Sequence, residues 1–296
     1  QQLELNDKWW LEFNDETLNR LIEVGLTNSP SLSSSLFRLK SNQLNIDIAA
    51  ADLYPDLNFN ANASSDIEKL QNIDDSLIGF SSSWELDLWG RISSLEEKAK
   101  WDFAARRALH QTRTNSLAGS ITITWFNLLA ENEKSRIIEK VGNETILRIE
   151  HFGSSSIPSI KSKPYIDLMI EIPKEKLFDE NLIANFTELG YSHFVVPARE
   201  NIEAYSSFGK GYNVDGKKEQ IFHIHMCPKD NVMWKQIDFR DYLNSNLERA
   251  KQYEKLKLEL AHKFKNDRGS YVLGKTDFVN ETLEIISDKA SVQQRI

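Results

Sequence analysis

From Arg91 to Glu133 the chain contains no proline and one glycine. Ile92, Leu95, Ala99 and Phe103, then Leu117, Ile121, Trp125 and Leu128, recur at spacings of three and four. That period predicts one helix of some forty residues, roughly 60 Å long. An isolated helix of this kind is marginal in water, so it needs partners. Upstream, residues 55–64 alternate strictly: Leu57, Phe59, Ala61 and Ala63 fall on one side, and Asn58, Asn60, Asn62 and Ser64 on the other. Residues 77–89 repeat the pattern, with Ile78, Phe80, Trp84, Leu86 and Leu88 opposite Ser81, Ser83, Glu85 and Asp87. Both read as strands, joined by a charged loop, DIEKLQNIDDS. Ser31–Leu53 reads as a further helix, with Pro30 at its start. Such strands suit either a soluble antiparallel sheet with one solvated face or a transmembrane barrel with a wet lumen.

Two stretches carry a resemblance. DKWWLEFNDETLNRLIEVGLTNSPSLSSSLFRLKSNQL and SSSWELDLWGRI are similar to the outer-membrane efflux proteins, the TolC-type channels of tripartite drug pumps. The resemblance covers residues 5–130 and implies one helix–strand–strand–helix repeat of the two that build a channel protomer. It further implies a homotrimer, a periplasmic adaptor and an inner-membrane pump as partners, and an outer-membrane location.

After residue 130 the pattern changes. Residues 1–130 hold 11 Lys/Arg against 18 Asp/Glu; the remainder hold 25 against 26. Five of the six histidines follow residue 150. β-rich runs (TILRIEHFG, YIDLMIEI, YSHFVV, QIFHIHMC) alternate with helical ones, an α/β pattern, and a charged helical stretch follows. In IEHFGSSSIPSIKSKPYIDLMIEI, a strand ends at Gly153 and Ser154, Ser155 and Ser156 follow. Glycine permits close backbone approach, and amide and hydroxyl donors can hold phosphate oxygens. Lys161 and Lys163 add positive charge. Asp167 sits in the next strand, where a carboxylate could hold Mg²⁺ beside that phosphate. A purely structural turn fits the same residues. His223 and His225 share one strand face; they suit phosphate binding, acid–base work or a metal, or simply a half-exposed strand.

EHFGSSSIPSIKSKPYIDLMI, FHIHM, Trp234, FRDYLNSN and YVLGKTDFV occur in that order and resemble the GrpB family, a branch of the nucleotidyltransferase superfamily. The resemblance spans residues 131–290 and implies an α/β core with a helical C-terminal part. It places phosphate or nucleotide binding on Gly153, Ser154, Ser155, Lys163, Arg240 and Lys275. It places catalytic work on Asp167, His223 and His225, with Mg²⁺ held by Asp167 and the histidines neutralising phosphate charge. The superfamily pattern puts a second carboxylate two residues after the first. That position is Met169 here, and Glu171 follows on the same face as a second candidate metal ligand.

The expected fold is therefore α+β in two unlike parts. A long α-hairpin with a strand pair (1–130) precedes an α/β nucleotidyltransferase-like domain (131–290), with a tail at 291–296. The expected function is binding of a nucleotide or phosphorylated small molecule, with Mg²⁺-dependent nucleotidyl transfer. The alternative is a channel component of an efflux pump. A net charge of -8 argues against nucleic acid as a partner. One cysteine, Cys227, rules out an intrachain disulfide. The chain starts at Gln1, not Met, without a signal peptide, as a processed or trimmed chain or a fragment does. The first part implies the outer membrane and the second the cytoplasm. No Gly-, Pro- or Ser-rich linker separates them, so the join falls inside a helix, at FNLLAENEKSRIIEK. A splice that shortens both partners at one point suits a recombined or assembled chimera better than a selected fusion of whole domains.

Overall fold

The computed structural model describes residues 8–64, 75–198, 202–212, 220–265 and 267–293. The chain divides into two compact units, Gln1–Trp9 with Asn19–Ser120, and Trp10–Leu18 with Ile121–Ile296. Most of the charged loop expected between the first two strands lies outside the described residues.

In chain order, α1 (Glu16–Asn28) leads to α2 (Pro30–Ala51). Ser29 caps α2, its Oγ accepting from Leu32 N at 3.3 Å, and Pro30 occupies the first turn, where its missing N–H costs nothing. β1 (Asp56–Ser64) pairs antiparallel with β2 (Asp75–Ser83), Phe59 opposite Phe80 with ring centroids 5.0 Å apart. The apolar row of this hairpin is open: Leu57 and Phe80 are each 84% exposed.

The second strand was expected to reach Trp89, yet it stops at Ser83. The remaining residues do other work. The Trp84 indole donates to Leu53 O at 3.2 Å, and Glu85 pairs with Arg91 at 2.7 Å. The Asp87 carboxylate accepts from Ile92 N (2.9 Å), Ser93 N (2.8 Å) and Ser93 Oγ (2.7 Å). These bonds satisfy first-turn amides of α3 that have no helical partner.

α3 (Arg91–Val141) runs for 51 residues, longer than the forty expected. Ile92 of the expected stripe is buried, but further along the buried Ala118, Thr122 and Phe126 each fall one residue after the expected Leu117, Ile121 and Trp125. In the first unit the buried stripe carries Ile92, His110 and Ala118, with His110 Nδ1 3.0 Å from the buried Ser35 Oγ of α2. In the second unit it carries Thr122, Phe126, Ala130, Glu133 and Ile137. Leu95 and Leu128 are 44% and 49% exposed.

The second unit is built on a five-stranded sheet of β3 (Arg148–Phe152), β4 (Tyr165–Glu171), β5 (Ser192–Val196), β6 (Tyr205–Lys210) and β7 (Ile221–Cys227), in the order β3-β4-β7-β6-β5. Only β4 and β7 run parallel. α4 (Glu180–Glu188) precedes β5. One sheet face buries Ile166, Leu168, Ile170, Phe208 and Ile224 completely. The C-terminal helices are α5 (Lys235–Ser245), α6 (Leu247–Lys263), α7 (Arg268–Leu273) and α8 (Thr276–Gln293). α8 therefore runs into the expected tail. No described helix is long and apolar enough to cross a membrane.

The last turns of α3 dock on this unit. Glu133, 6% exposed, accepts from Tyr191 Oη and Lys210 Nζ, each at 3.0 Å, and pairs with Arg136 at 3.3 Å. Lys140 pairs with Glu188 of α4. Trp125 Nε1 donates to Asp15 Oδ2 at 2.7 Å, and Phe13 meets Phe126 edge-on.

Candidate functional site

β3 ends at Phe152, and Gly153 turns the chain with φ 74° into a short 3₁₀ turn, Ser154–Ser156. A side chain at residue 153 would strike the Asp167 carboxylate. Only glycine combines that φ with so close an approach. His151, buried, meets Ser155 Oγ through Nε2 at 3.0 Å, and Ser156 Oγ donates to Gly153 O at 2.7 Å. Ser155 is thereby engaged in holding the turn.

The sheet register assembles the rest. Asp167, Met169 and Glu171 alternate with the fully buried Ile166, Leu168 and Ile170 along β4. Across the parallel pairing, Asp167 lies beside His223, Met169 beside His225, and Glu171 beside Cys227. His223 Nδ1 is 3.5 Å from Asp167 Oδ1. Its Nε2 is 3.0 Å from Ser207 Oγ of β6, and that hydroxyl donates to Ile224 O at 3.0 Å. The Ser207 proton being used there, Ser207 accepts from His223 Nε2–H, and Nδ1 is the ring nitrogen that faces Asp167. The His223 and His225 rings lie 4.3 Å apart between centroids, and Phe152 meets His225 edge-on at 5.3 Å. His225 Nδ1 is shut off from water and has no hydrogen-bond partner. Burial, then the neighbouring His223, pushes the His225 imidazole down to about 3. The Asp167, His223 and His225 donor atoms all lie within 4.8 Å of one another.

Beside this cluster a polar cleft of about 180 Å³ is lined by Gly153, Ser154, Asp167, Gln236, Arg240 and Lys275, with Ile157, Phe239 and Tyr253 completing its wall. Ligand pockets for whole small molecules run to roughly 300–1,000 Å³, so this cleft matches a phosphoryl-sized group. Tyr253 is hydrogen-bonded to Ser154, and burial pushes its phenol up to about 12.

The structure thus brings Gly153, Ser154, Asp167, Arg240 and Lys275 to one cleft and sets His223 and His225 against Asp167. Three expected residues stand elsewhere. Glu171, offered as a second metal ligand, lies four residues along β4 from Asp167, roughly 13 Å at the rise of a strand, with the buried Met169 between. Lys163 is exposed in the loop before β4 and does not line the cleft. Ser155 turns to His151. Arg240 lines the cleft but is occupied: it donates to Glu150 Oε2 at 2.9 Å, His151 O at 2.6 Å and Asp241 Oδ1 at 2.7 Å. Sequence reasoning missed Gln236, Phe239, Tyr253 and Ser207. The first three come from helices docked over the sheet, which no strand periodicity announces.

Comparison with known proteins agrees with both halves of this architecture. The family model described as GrpB protein matches residues 122–284, and that of outer membrane efflux protein matches residues 21–141. The two matches overlap on the last twenty residues of α3. A glutamate-rich protein GrpB of Alkalihalophilus pseudofirmus is 35% identical over 52% of this chain and 87% of its own. The pyoverdine export outer membrane protein OpmQ of Pseudomonas putida is 30% identical over 45% of this chain and 31% of its own. The crystal structure of GrpB from Enterococcus faecalis aligns at a TM-score of 0.47 and 25% identity, over 56% of this chain and 94% of that one. The chain thus spans most of the GrpB relative but about a third of the channel protein, and an efflux-protein segment and a GrpB segment are fused in it. With more than half of its length matched by that model, the chain belongs to the GrpB family.

Proposed function

We propose that the GrpB segment binds a phosphate-bearing small molecule, a nucleotide foremost, with its phosphoryl end in the cleft between the Gly153–Ser156 turn and Lys275. The observation that carries this reading is the close approach of Gly153 to Asp167, which only a glycine permits, in a cleft otherwise lined by Ser154, Arg240 and Lys275. Ser154 supplies a hydroxyl, and Lys275 a cation. Arg240 steadies the wall through its bonds to Glu150 and His151. Mg²⁺ favours oxygen ligands and joins one or two carboxylates with substrate phosphates. Asp167 is the one carboxylate here, so Mg²⁺ enters as the counter-ion carried on the ligand's own phosphates. The chemistry to be assayed is nucleotidyl transfer: an acceptor hydroxyl attacks the α-phosphorus and pyrophosphate leaves.

The test is thermal shift and calorimetry of the whole chain with ATP, GTP, their diphosphates and inorganic phosphate, with Mg²⁺. Binding that Lys275→Ala and Asp167→Ala weaken about tenfold or more, the scale of one lost charged contact, supports the reading. Equal binding in wild type and both variants sinks it.

A second reading for the first segment rests on the open apolar row of the hairpin. There the segment inserts in the outer membrane as part of a trimer, with an adaptor and an inner-membrane pump as partners. Fractionation of cells expressing the chain decides: recovery away from outer membranes counts against it.

A further inference from the structure

We propose that Asp167, His223 and His225 form a resident site for a nitrogen-preferring divalent cation of the zinc class. It is a different cation from the Mg²⁺ that a nucleotide brings; Asp167 is shared with the proposed phosphate cleft, whereas His223, His225 and Lys275 tell the two sites apart.

The His223–Asp167 separation fits a four-coordinate ion, and the His225 donor lies within 4.8 Å of both. Two ligands at roughly 2.0–2.1 Å from a tetrahedral zinc are about 3.4 Å apart. The same two on an octahedral Mg²⁺ at that bond length are about 2.9 Å apart. His223 Nδ1 and Asp167 Oδ1 are separated by 3.5 Å. The chemistry of the donors agrees, because two imidazoles and one carboxylate are a borderline set suited to zinc, cobalt or iron rather than to a hard cation.

The surroundings fit as well. A metal-binding histidine characteristically donates its second ring N–H to a neighbour, which fixes the tautomer. Ser207, 2% exposed, receives His223 Nε2–H in this way while its own proton is held by Ile224 O. That leaves Nδ1 as the nitrogen facing the carboxylate at 3.5 Å, an arrangement a cation between them would satisfy. An imidazolium–carboxylate pair would explain this approach too, but it gives no part to His225, whose ring also brings a nitrogen to the cluster and whose Nδ1 is buried without a partner. Buried polar atoms in native proteins nearly always have a partner. The missing second carboxylate also finds its counterpart: the residue beside Met169 across the β4–β7 pairing is His225. A donor absent from β4 is supplied one strand over. Three protein donors leave the fourth position of such an ion open, and Asp167 also lines the cleft.

The experiment uses tag-free whole chain, stripped with chelator and titrated with ZnCl₂, CoCl₂ and MgCl₂ in turn. Expected are one equivalent of Zn²⁺ or Co²⁺, a visible Co²⁺ spectrum of four-coordinate intensity, and affinity for Mg²⁺ at least about 100-fold weaker. Asp167→Asn, His223→Ala and His225→Gln each lower Zn²⁺ affinity by about 100-fold or more. Ser207→Ala keeps all three donors and loses about 10–100-fold. Circular dichroism of each metal-free variant separates lost binding from lost folding. Lys275→Ala leaves Zn²⁺ binding intact even where it abolishes phosphate binding. The proposal is overturned if the stripped wild type takes up no equivalent at micromolar metal. It is equally overturned if folded Asp167→Asn and His223→Ala bind as the wild type does, or if Co²⁺ shows only the weak spectrum of a six-coordinate ion.

Discussion

His223 faces Asp167 across the parallel β4–β7 pair, Nδ1 to Oδ1 at 3.5 Å, although the two stand 56 residues apart in the chain. Strand register creates this proximity, and the hydroxyl of Ser207 from a third strand decides which imidazole nitrogen takes part. The chemistry of the site is thus a property of the sheet.

Gly153→Ala tests the turn that faces Asp167. The residue needs φ 74° and its new methyl would meet the carboxylate. The expected loss of stability is about 1–3 kcal/mol, with loss of phosphate-ligand binding as Asp167 is pushed aside. Gly142→Ala is the control: φ is 92° there, but nothing lies within 4 Å of the added carbon. Urea titration should find both destabilised, and calorimetry should find only Gly153→Ala impaired in binding.

The docking of α3 on the sheet turns on Glu133. Tyr191→Phe removes one buried hydrogen bond and should cost about 1 kcal/mol. Glu133→Leu strands Lys210, whose side chain is 18% exposed, and should cost about 3–5 kcal/mol. Chemical unfolding of the two variants should rank them in that order; equal, small effects would mean the cluster is solvated.

Acid should loosen the second unit through His151. Burial, then Lys134 and Arg240, lowers its imidazole from 6.5 to about 4. The unfolded chain takes up a proton below pH 6.5 that the folded one refuses until about pH 4. The stabilisation is therefore complete above pH 6.5 and is lost as the pH falls to 4, about 3 kcal/mol in all. His151→Gln should flatten the fall in urea midpoint between pH 7 and pH 4.5.

The hairpin's apolar row should bind hydrophobic dye. Phe59 and Phe80, 59% and 84% exposed, face each other across the pair. Replacing both by Asn should reduce dye fluorescence by about half or more while the unfolding midpoint of the second unit holds. Undiminished fluorescence would mean the dye reports some other surface.

The long helices were legible because proline-free sequence with a sustained period of three and four admits little else. β3, β4, β5 and β7 were legible from their β-branched and aromatic residues. β6 was not: its Ser206, Ser207 and Gly209 have weak strand propensity, and only its place between β5 and β7 makes it a strand. Period two also over-extended β2, because Trp84, Glu85 and Asp87 alternate like strand residues yet serve as end-caps for α3. Asp167, His223, His225 and Gly153 could be named from residue type and motif. The exclusion of Lys163 and Glu171 could not, since it depends on where loop and strand place them. Arg240 was named for phosphate, but its charge is largely spent on Glu150 and Asp241.

The alternation along β7 gives the sheet a built-in gauge of its own alignment. Were β7 to shift one residue against β4, Phe222 and Ile224 would exchange sides with both imidazoles. The greasy side chains would then crowd Asp167 and the histidines would be driven into the packed interior. Such a mispaired sheet would lose its core and its site in a single step, so the histidine environment reports whether the strands have been zipped correctly.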